Sequence, residues 1–208
     1  MNRRIAFALR SVAALALVAA GCGIDSAPAK ADALTGLTAG GGVGEYYLRI
    51  DNAESLGSAL DSYSASNDTA WQVFLKYRFA PFVALEGQYM DLGTDRSFAG
   101  PTEYTSTIKG WAPWLVGTLP LGSFHGSVVG PFELFIKGGE YFYDYHDDYV
   151  TPAGVYRYYS HNENHFVYGG GLGLVFIQRL DVRLEYDELH IQDTNRSNAL
   201  WLTAAFNF

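Results

Sequence analysis

The sequence predicts an all-β fold, an eight-stranded antiparallel transmembrane β-barrel. Three observations predict it. After an apolar N-terminal stretch, the chain alternates apolar and polar residues in runs long enough to cross a bilayer as tilted strands. Hydrophobic residues make up 49% of the chain, yet mean hydropathy is -0.01, which suits alternation and does not suit helical spans. Aromatic residues reach 15% and recur near the ends of the runs, where amphipathic rings favour the headgroup level.

The first 21 residues read as an export signal. Arg3 and Arg4 form a charged start, and Ser11 to Ala20 is small and apolar but too short to span a membrane. Two cleavage points fit. Residues 19–22, Ala-Ala-Gly-Cys, form a lipoprotein-like box with Cys22 as the lipidated residue, although Ala19 stands where Leu is commonest. Residues 29–31, Ala-Lys-Ala, offer a second site that would extend the signal to 31. Residues 22–37 then form a short periplasmic segment, and 38–208 form the barrel.

Eight runs follow. The first, Thr38 to Ile50, sets Tyr46, Leu48 and Ile50 on one face and Glu45, Tyr47 and Arg49 on the other; Gly40, Gly41, Gly42 and Gly44 weaken its pattern. The second, Ala70 to Phe79, puts Trp71, Val73, Leu75, Tyr77 and Phe79 opposite Gln72, Phe74, Lys76 and Arg78. Ala80-Pro81 makes a tight break. The third places Val83, Leu85, Gly87 and Tyr89 outward, with Ala84, Glu86 and Gln88 inward. The fourth, Thr105 to Leu119, contains Pro113, which cannot donate to a ladder and calls for a bulge or a wide pairing.

The fifth run sets Phe132, Leu134, Ile136 and Gly138 against Glu133, Phe135, Lys137 and Gly139. The sixth, His165 to Phe176, sets Phe166, Tyr168, Leu172 and Leu174 against Val167, Gly169, Gly171 and Gly173. The seventh is the most regular: Leu180, Val182, Leu184 and Tyr186 alternate with Arg179, Asp181, Arg183, Glu185 and Asp187. In the eighth, Leu200, Leu202, Ala204, Phe206 and Phe208 oppose Trp201, Thr203, Ala205 and Asn207.

A soluble sandwich would also bury one face and wet the other. These runs are long for a sandwich. Aromatics at Trp71, Phe79, Tyr89, Trp111, Phe132, Tyr141 and Tyr168 suit membrane belts. The connections also alternate: breaks near 51–69, 92–104, 144–164 and 192–197 are long and polar, and those at 80–81 and 177–178 are short. The connection 120–131 breaks this rhythm.

In hydrocarbon the sheet must close, and eight strands leave an interior that side chains fill. Ten charges fall on the polar faces: Glu45, Glu86, Glu133, Asp181 and Glu185 against Arg49, Lys76, Arg78, Lys137 and Arg183. Unpaired charges there would be costly. An interior salt-bridge network, with trapped water and no wide pore, is expected.

Composition excludes some functions. Cleavage after residue 21 leaves 11 basic against 22 acidic residues, an acidic balance unsuited to nucleic acid. One cysteine gives no intrachain disulfide. No phosphate loop, dinucleotide fingerprint or cysteine–histidine metal signature appears, so no cofactor is expected. Ser160, His161 and His165 lie close in sequence, but nothing forces them to converge as a hydrolase requires. Asp144, Asp147, Asp148 and Glu163 match no dedicated calcium loop.

The chain resembles the transmembrane barrel of outer-membrane protein A and its small-barrel relatives. The resemblance rests on residues 74–93 (FLKYRFAPFVALEGQYMDLG), 132–145 (FELFIKGGEYFYDY), 168–189 (YGGGLGLVFIQRLDVRLEYDEL) and the ending LTAAFNF. The first holds a Gly-Tyr-Arg-like triplet and closes in Tyr-x-Asp-Leu-Gly. Leu202, Phe206 and Phe208 resemble the signal read by the outer-membrane assembly machinery. The family implies a Gram-negative outer-membrane location, periplasmic termini and contact with outer-membrane lipids and lipopolysaccharide. The chain departs from longer members in lacking a following domain, so their peptidoglycan binding is not carried over. It also departs at Pro113 and in the Gly169–Gly173 run. The expected function is non-enzymatic, in envelope integrity or surface interaction. A narrow channel and a lipid-modifying enzyme remain as alternatives.

Overall fold

A computed structural model describes residues 36–51, 62–99, 102–122, 129–150, 156–176, 179–191 and 196–208. The expected signal, its two cleavage points, Cys22 and most of the 22–37 segment lie outside the described residues. Eight strands close into a barrel in sequence order. They are β1 (Gly36–Asp51), β2 (Ser62–Ala80), β3 (Val83–Ala99), β4 (Thr102–Gly122), β5 (Val129–Val150), β6 (Tyr156–Phe176), β7 (Leu180–Glu188) and β8 (Arg196–Asn207). Each pairs antiparallel with its neighbours, and β1 pairs with β8.

The register fixes the stagger. Stepping across the ladders from Gly36 leads through Arg78, Ala84, Val116, Lys137, Gly169, Asp187 and Ala199, and returns to β1 at Tyr46, ten residues further on. This stagger requires tilted strands, and every residue on the path belongs to the inward-facing set.

Alternation governs most of the wall. On β2, Trp71, Val73, Leu75, Tyr77 and Phe79 are exposed on the outside, while Gln72, Phe74 and Lys76 are buried. β7 repeats the pattern, with Leu184 and Tyr186 outward and Asp181, Arg183, Glu185 and Asp187 inward. The outward band is apolar, as a lipid-facing surface must be.

The strands run further than alternation implied. The stretches 92–104 and 144–164, read as loops, are strand up to Ala99 and from Thr102, and up to Val150 and from Tyr156. Period two is visible only where one face meets lipid. Beyond the bilayer both faces meet water, so polar residues occupy both sides and the signal fades. Likewise β2 begins at Ser62 and β8 at Arg196.

Pro113 needs no bulge. Trp111 pairs with Phe142 and Trp114 with Gly139, so the β4–β5 register passes through Ala112 and Pro113 unchanged. A true irregularity lies between Asp91 and Thr94. There Gly93 adopts φ 82°, a left-handed conformation costly for other residues, and its N–H donates to Asp91 Oδ1 at 2.9 Å. Asp91 is also the last residue of β3 to pair with β2. Beyond it β3 continues with β4 only, and β3–β6 rise as a four-stranded sheet.

Candidate functional site

Two regions carry the chemistry: the lumen and the sheet that rises from its open end. In the lumen, β7 supplies most of the charge. Arg183 donates from Nε and Nη2 to Asp181 Oδ2 at 2.8 and 2.7 Å, and from Nη1 to Glu86 Oε2 at 3.3 Å. Its guanidinium sits 5.3 Å from the ring centres of both Phe74 and Phe135, a cation–π sandwich. Lys76 lies 3.7 Å from Asp181. Arg78 forms a two-pronged pair with Glu133 at 2.9 and 3.1 Å.

Lys137 makes the densest knot. Its Nζ pairs with Glu185, stands 3.0 Å from Asp187 and donates to Gln88 Oε1 at 3.1 Å. It also lies 4.1 Å from the centre of the Trp114 ring. Trp201 Nε1 donates to the same Asp187 carboxylate at 3.1 Å. Asp187 was not among the ten charges expected in the network. Its parity with Glu185 along β7 was the signal that could have included it.

Glycine makes room for these side chains. On β6, Gly169, Gly171 and Gly173 face Asp187, Glu185 and Arg183 across the ladder. A Cβ on Gly169 would strike Asp187 Oδ1, and one on Gly171 would strike the Leu184 carbonyl. On β1, Gly40, Gly42 and Gly44 stand beside Ala205, Thr203 and Trp201 in the same way.

This arrangement corrects the reading of β1. Its inward residues are Thr38, the three glycines and Tyr46, so Glu45 points outward and is exposed. The glycines erased the alternation that would have fixed the face. Tyr46 belongs inside because its hydroxyl meets Ser197 Oγ at 3.2 Å. The side chain of Arg49 lies outside the described residues. The remaining eight expected charges, Lys76, Arg78, Glu86, Glu133, Lys137, Asp181, Arg183 and Glu185, all point into the lumen.

Above the ionic lattice the lumen changes character. Tyr46, Met90, Leu92, Ile108, Tyr141, Val167, Leu189 and Ile191 are buried together toward the end away from the chain termini. Tyr141, expected in an aromatic belt, instead points inward and is 0% exposed. It stacks on Tyr143 at 5.2 Å. The barrel thus has a charged lower filling and an apolar upper stopper.

On the rising sheet, β6 pairs with β7 only from Tyr168 onward, where Tyr168 meets Glu188. Its stretch Tyr156–Val167 continues beside β5, with no described strand on its other side. The pleat sends exposed Ser160 to the outer face, whereas His165 and Glu163 share the opposite face and meet at 3.2 Å. Among the described residues, no group of three His, Cys, Asp or Glu is placed to hold a metal.

A family model described as the outer membrane protein beta-barrel domain matches residues 13–208. No curated protein matches the chain. Among solved structures, the attachment invasion locus protein Ail of Yersinia pestis, in complex with the heparin analogue sucrose octasulfate, is similar with TM-score 0.55 and 12% identity. The match covers 84% of this chain and 99% of that one. Neisserial surface protein A follows with TM-score 0.54 and 12% identity, over 84% and 98%. The N-terminal β-barrel domain of Pseudomonas aeruginosa OprF gives 0.50 and 10%, also over 84% and 98%. At these identities the likeness is one of fold. The closed eight-stranded wall, its lipid-facing apolar band and the match over residues 13–208 together show that the chain belongs to the outer membrane protein beta-barrel domain family, in the Gram-negative outer membrane.

Proposed function

We propose that this barrel is a non-enzymatic surface-interaction protein whose rising sheet captures extended segments of other molecules along the edge of β6. The observation that supports this most is the Tyr156–Val167 stretch, which runs past the end of β7 as a sheet edge. An edge of this length presents main-chain donors and acceptors to an incoming strand. Acidic side chains on the same sheet, Glu140, Asp144, Asp148 and Glu163, favour a basic partner.

The stopper argues against a narrow channel, since ions would have to cross an apolar, close-packed section. The pleat argues against a hydrolase, since it separates Ser160 from His165. We assign Leu202, Phe206 and Phe208 to recognition by the assembly machinery, because they share the outer side of the closing strand. The outward band serves contact with outer-membrane lipids.

The test is a peptide array of extended segments of varied charge, probed with refolded barrel in detergent. A variant in which a two-residue Asn-Gly turn replaces 145–161, joining the paired residues Asp144 and Asn162, keeps the barrel and removes half of the edge, 156–161. Wild type is expected to bind basic segments and the shortened variant to lose them. Equal binding by the two would refute the edge as the contact surface. Lipid-bilayer recordings of the same wild-type protein should show no steady conductance.

A further inference from the structure

On the outer face of the rising sheet, a cleft of about 370 Å³ opens over β3–β6. Trp111 pairs across the ladder with Phe142, and Phe142 with Asn164. The Trp111 and Phe142 rings stack nearly parallel, with centres 4.7 Å apart and an interplanar angle of 13°. That separation is the spacing of neighbouring strands, so both rings stand off the sheet and fill the gap between β4 and β5. The face of Phe142 not covered by Trp111 therefore turns toward β6. Along β5, Glu140 and Asp144 flank Phe142 on the same face. Asn164 donates its amide to Glu140, on the membrane side of Phe142. What remains is a slot walled by Phe142 on β5 and by Asn162 and Asn164 on β6, with Asp144 at its upper end opposite Asn162.

Resting on the edge reading of β6, we propose that this slot takes the guanidinium of an arginine carried by the bound strand, and so sets which segments the edge accepts. A guanidinium is flat, weakly hydrated and rimmed with donors. Its plane suits the open face of Phe142, whose negative quadrupole attracts a cation. Its rim suits the Asp144 carboxylate, which accepts two parallel N–H bonds. A lysine ammonium would meet the carboxylate without lying flat on the ring. Lys109 stands opposite Asp144 but also opposite Asp91, so two carboxylates share its charge. Glu140 adds a third, and the surroundings of the slot stay negative. The sheet sets the reach. A strand bound along β6 takes the place of β7, two strands from β5. In the lumen Lys137 spans that same step, from β5 across β6 to Asp187 on β7. On the outer face the arginine makes it in the other direction, over Asn162 and Asn164, which belong to the edge stretch itself.

The test has two arms. In the first, refolded barrel in a non-ionic maltoside detergent is titrated with N-acetyl-arginine amide and with N-acetyl-citrulline amide, its uncharged isostere, and read by saturation-transfer NMR. Wild type should bind the arginine probe at least about fivefold more tightly than the citrulline probe, the effect of one cation–π and carboxylate contact. Phe142→Ala and Asp144→Asn should each weaken the arginine probe by a similar factor. Tyr186→Ala, on β7 and outside the slot, should bind like wild type. Heat-modifiable migration confirms that each variant is folded. In the second arm, basic segments that bind on the peptide array are remade with lysine or citrulline in place of arginine. Wild type should prefer the arginine forms, and Phe142→Ala should bind arginine and lysine forms alike. Equal binding of the two probes by wild type, or equal losses in Phe142→Ala and Tyr186→Ala, would overturn the proposal. Array binding without an arginine preference would remove the slot and leave the edge. Probe binding with no array signal would keep the slot as a guanidinium site and refute the edge.

Discussion

Lys137 on β5 reaches across β6 to stand 3.0 Å from Asp187 on β7, and the residue between them on the ladder is Gly169. Lys137 pairs with Gly169 on one side, and Asp187 pairs with it on the other. The ion pair spans a strand because that strand has no side chain at the crossing point. Gly169→Val should therefore destabilise the barrel by about 1–3 kcal/mol through overpacking. Gly87→Ala, where an added Cβ meets nothing within 4 Å, should change stability by less than about 0.5 kcal/mol. Urea titration in detergent micelles, followed by the gel shift of heat-modifiable protein, distinguishes the two.

The same knot makes an ordering prediction. Lys137→Met leaves both Glu185 and Asp187 buried without their shared cation, and should cost about 3–5 kcal/mol. Glu185→Ala leaves Lys137 with Asp187 and should cost less. If Glu185→Ala proved the more harmful in urea titrations, Lys137 would not be the centre of the lattice.

Topology gives a third prediction. With periplasmic termini, the connection 151–155 stands outside the cell and the turn at Pro81-Phe82 faces the periplasm. An epitope tag at 153 should be labelled on intact cells, and one at 81 only after permeabilisation. Labelling of both on unbroken cells would contradict this orientation.

The end of β8 gives a fourth. Phe208 N–H donates to the Leu37 carbonyl at 2.9 Å, and its ring meets Phe206 edge-on at 5.2 Å. Phe208→Asp should lower the yield of folded protein in the outer membrane and leave precursor in the periplasm. Unchanged yield and folding rate would remove Phe208 from the assembly signal.

Much of the fold was legible because one face of each spanning segment meets lipid. The parity of β7 placed Arg183 and Glu185 inside from sequence alone, and β2 did the same for Lys76 and Arg78. β1 was not legible in this way, since its glycines carry no hydropathy contrast and Glu45 was assigned to the wrong face. The rising sheet was hidden for a different reason: water on both sides removes period two, and residues 144–164 looked like loop. The stopper was hidden too. An apolar inward residue such as Met90 or Ile108 is indistinguishable by composition from an outward one, and only the closed register reveals its side. The Tyr-x-Asp-Leu-Gly segment that carried the family resemblance contains Asp91 and Gly93, the irregularity where β3 parts from β2.

The glycines of β1 also act as a ruler for closing the barrel. The β1–β8 seam joins the two ends of the sheet, and each glycine fits beside a larger inner residue of β8. Slide β1 by two residues one way and Tyr46 falls beside Trp201, where Gly44 now stands. Slide it the other way and Thr38 leaves Asn207, to which its hydroxyl donates at 2.7 Å, while Tyr46 is pushed past the hydroxyl of Ser197. Both errors keep every side chain on its correct face, so hydrophobicity alone would not reject them. Side-chain size rejects the first and lost hydrogen bonds the second, so the seam has one register in which it locks.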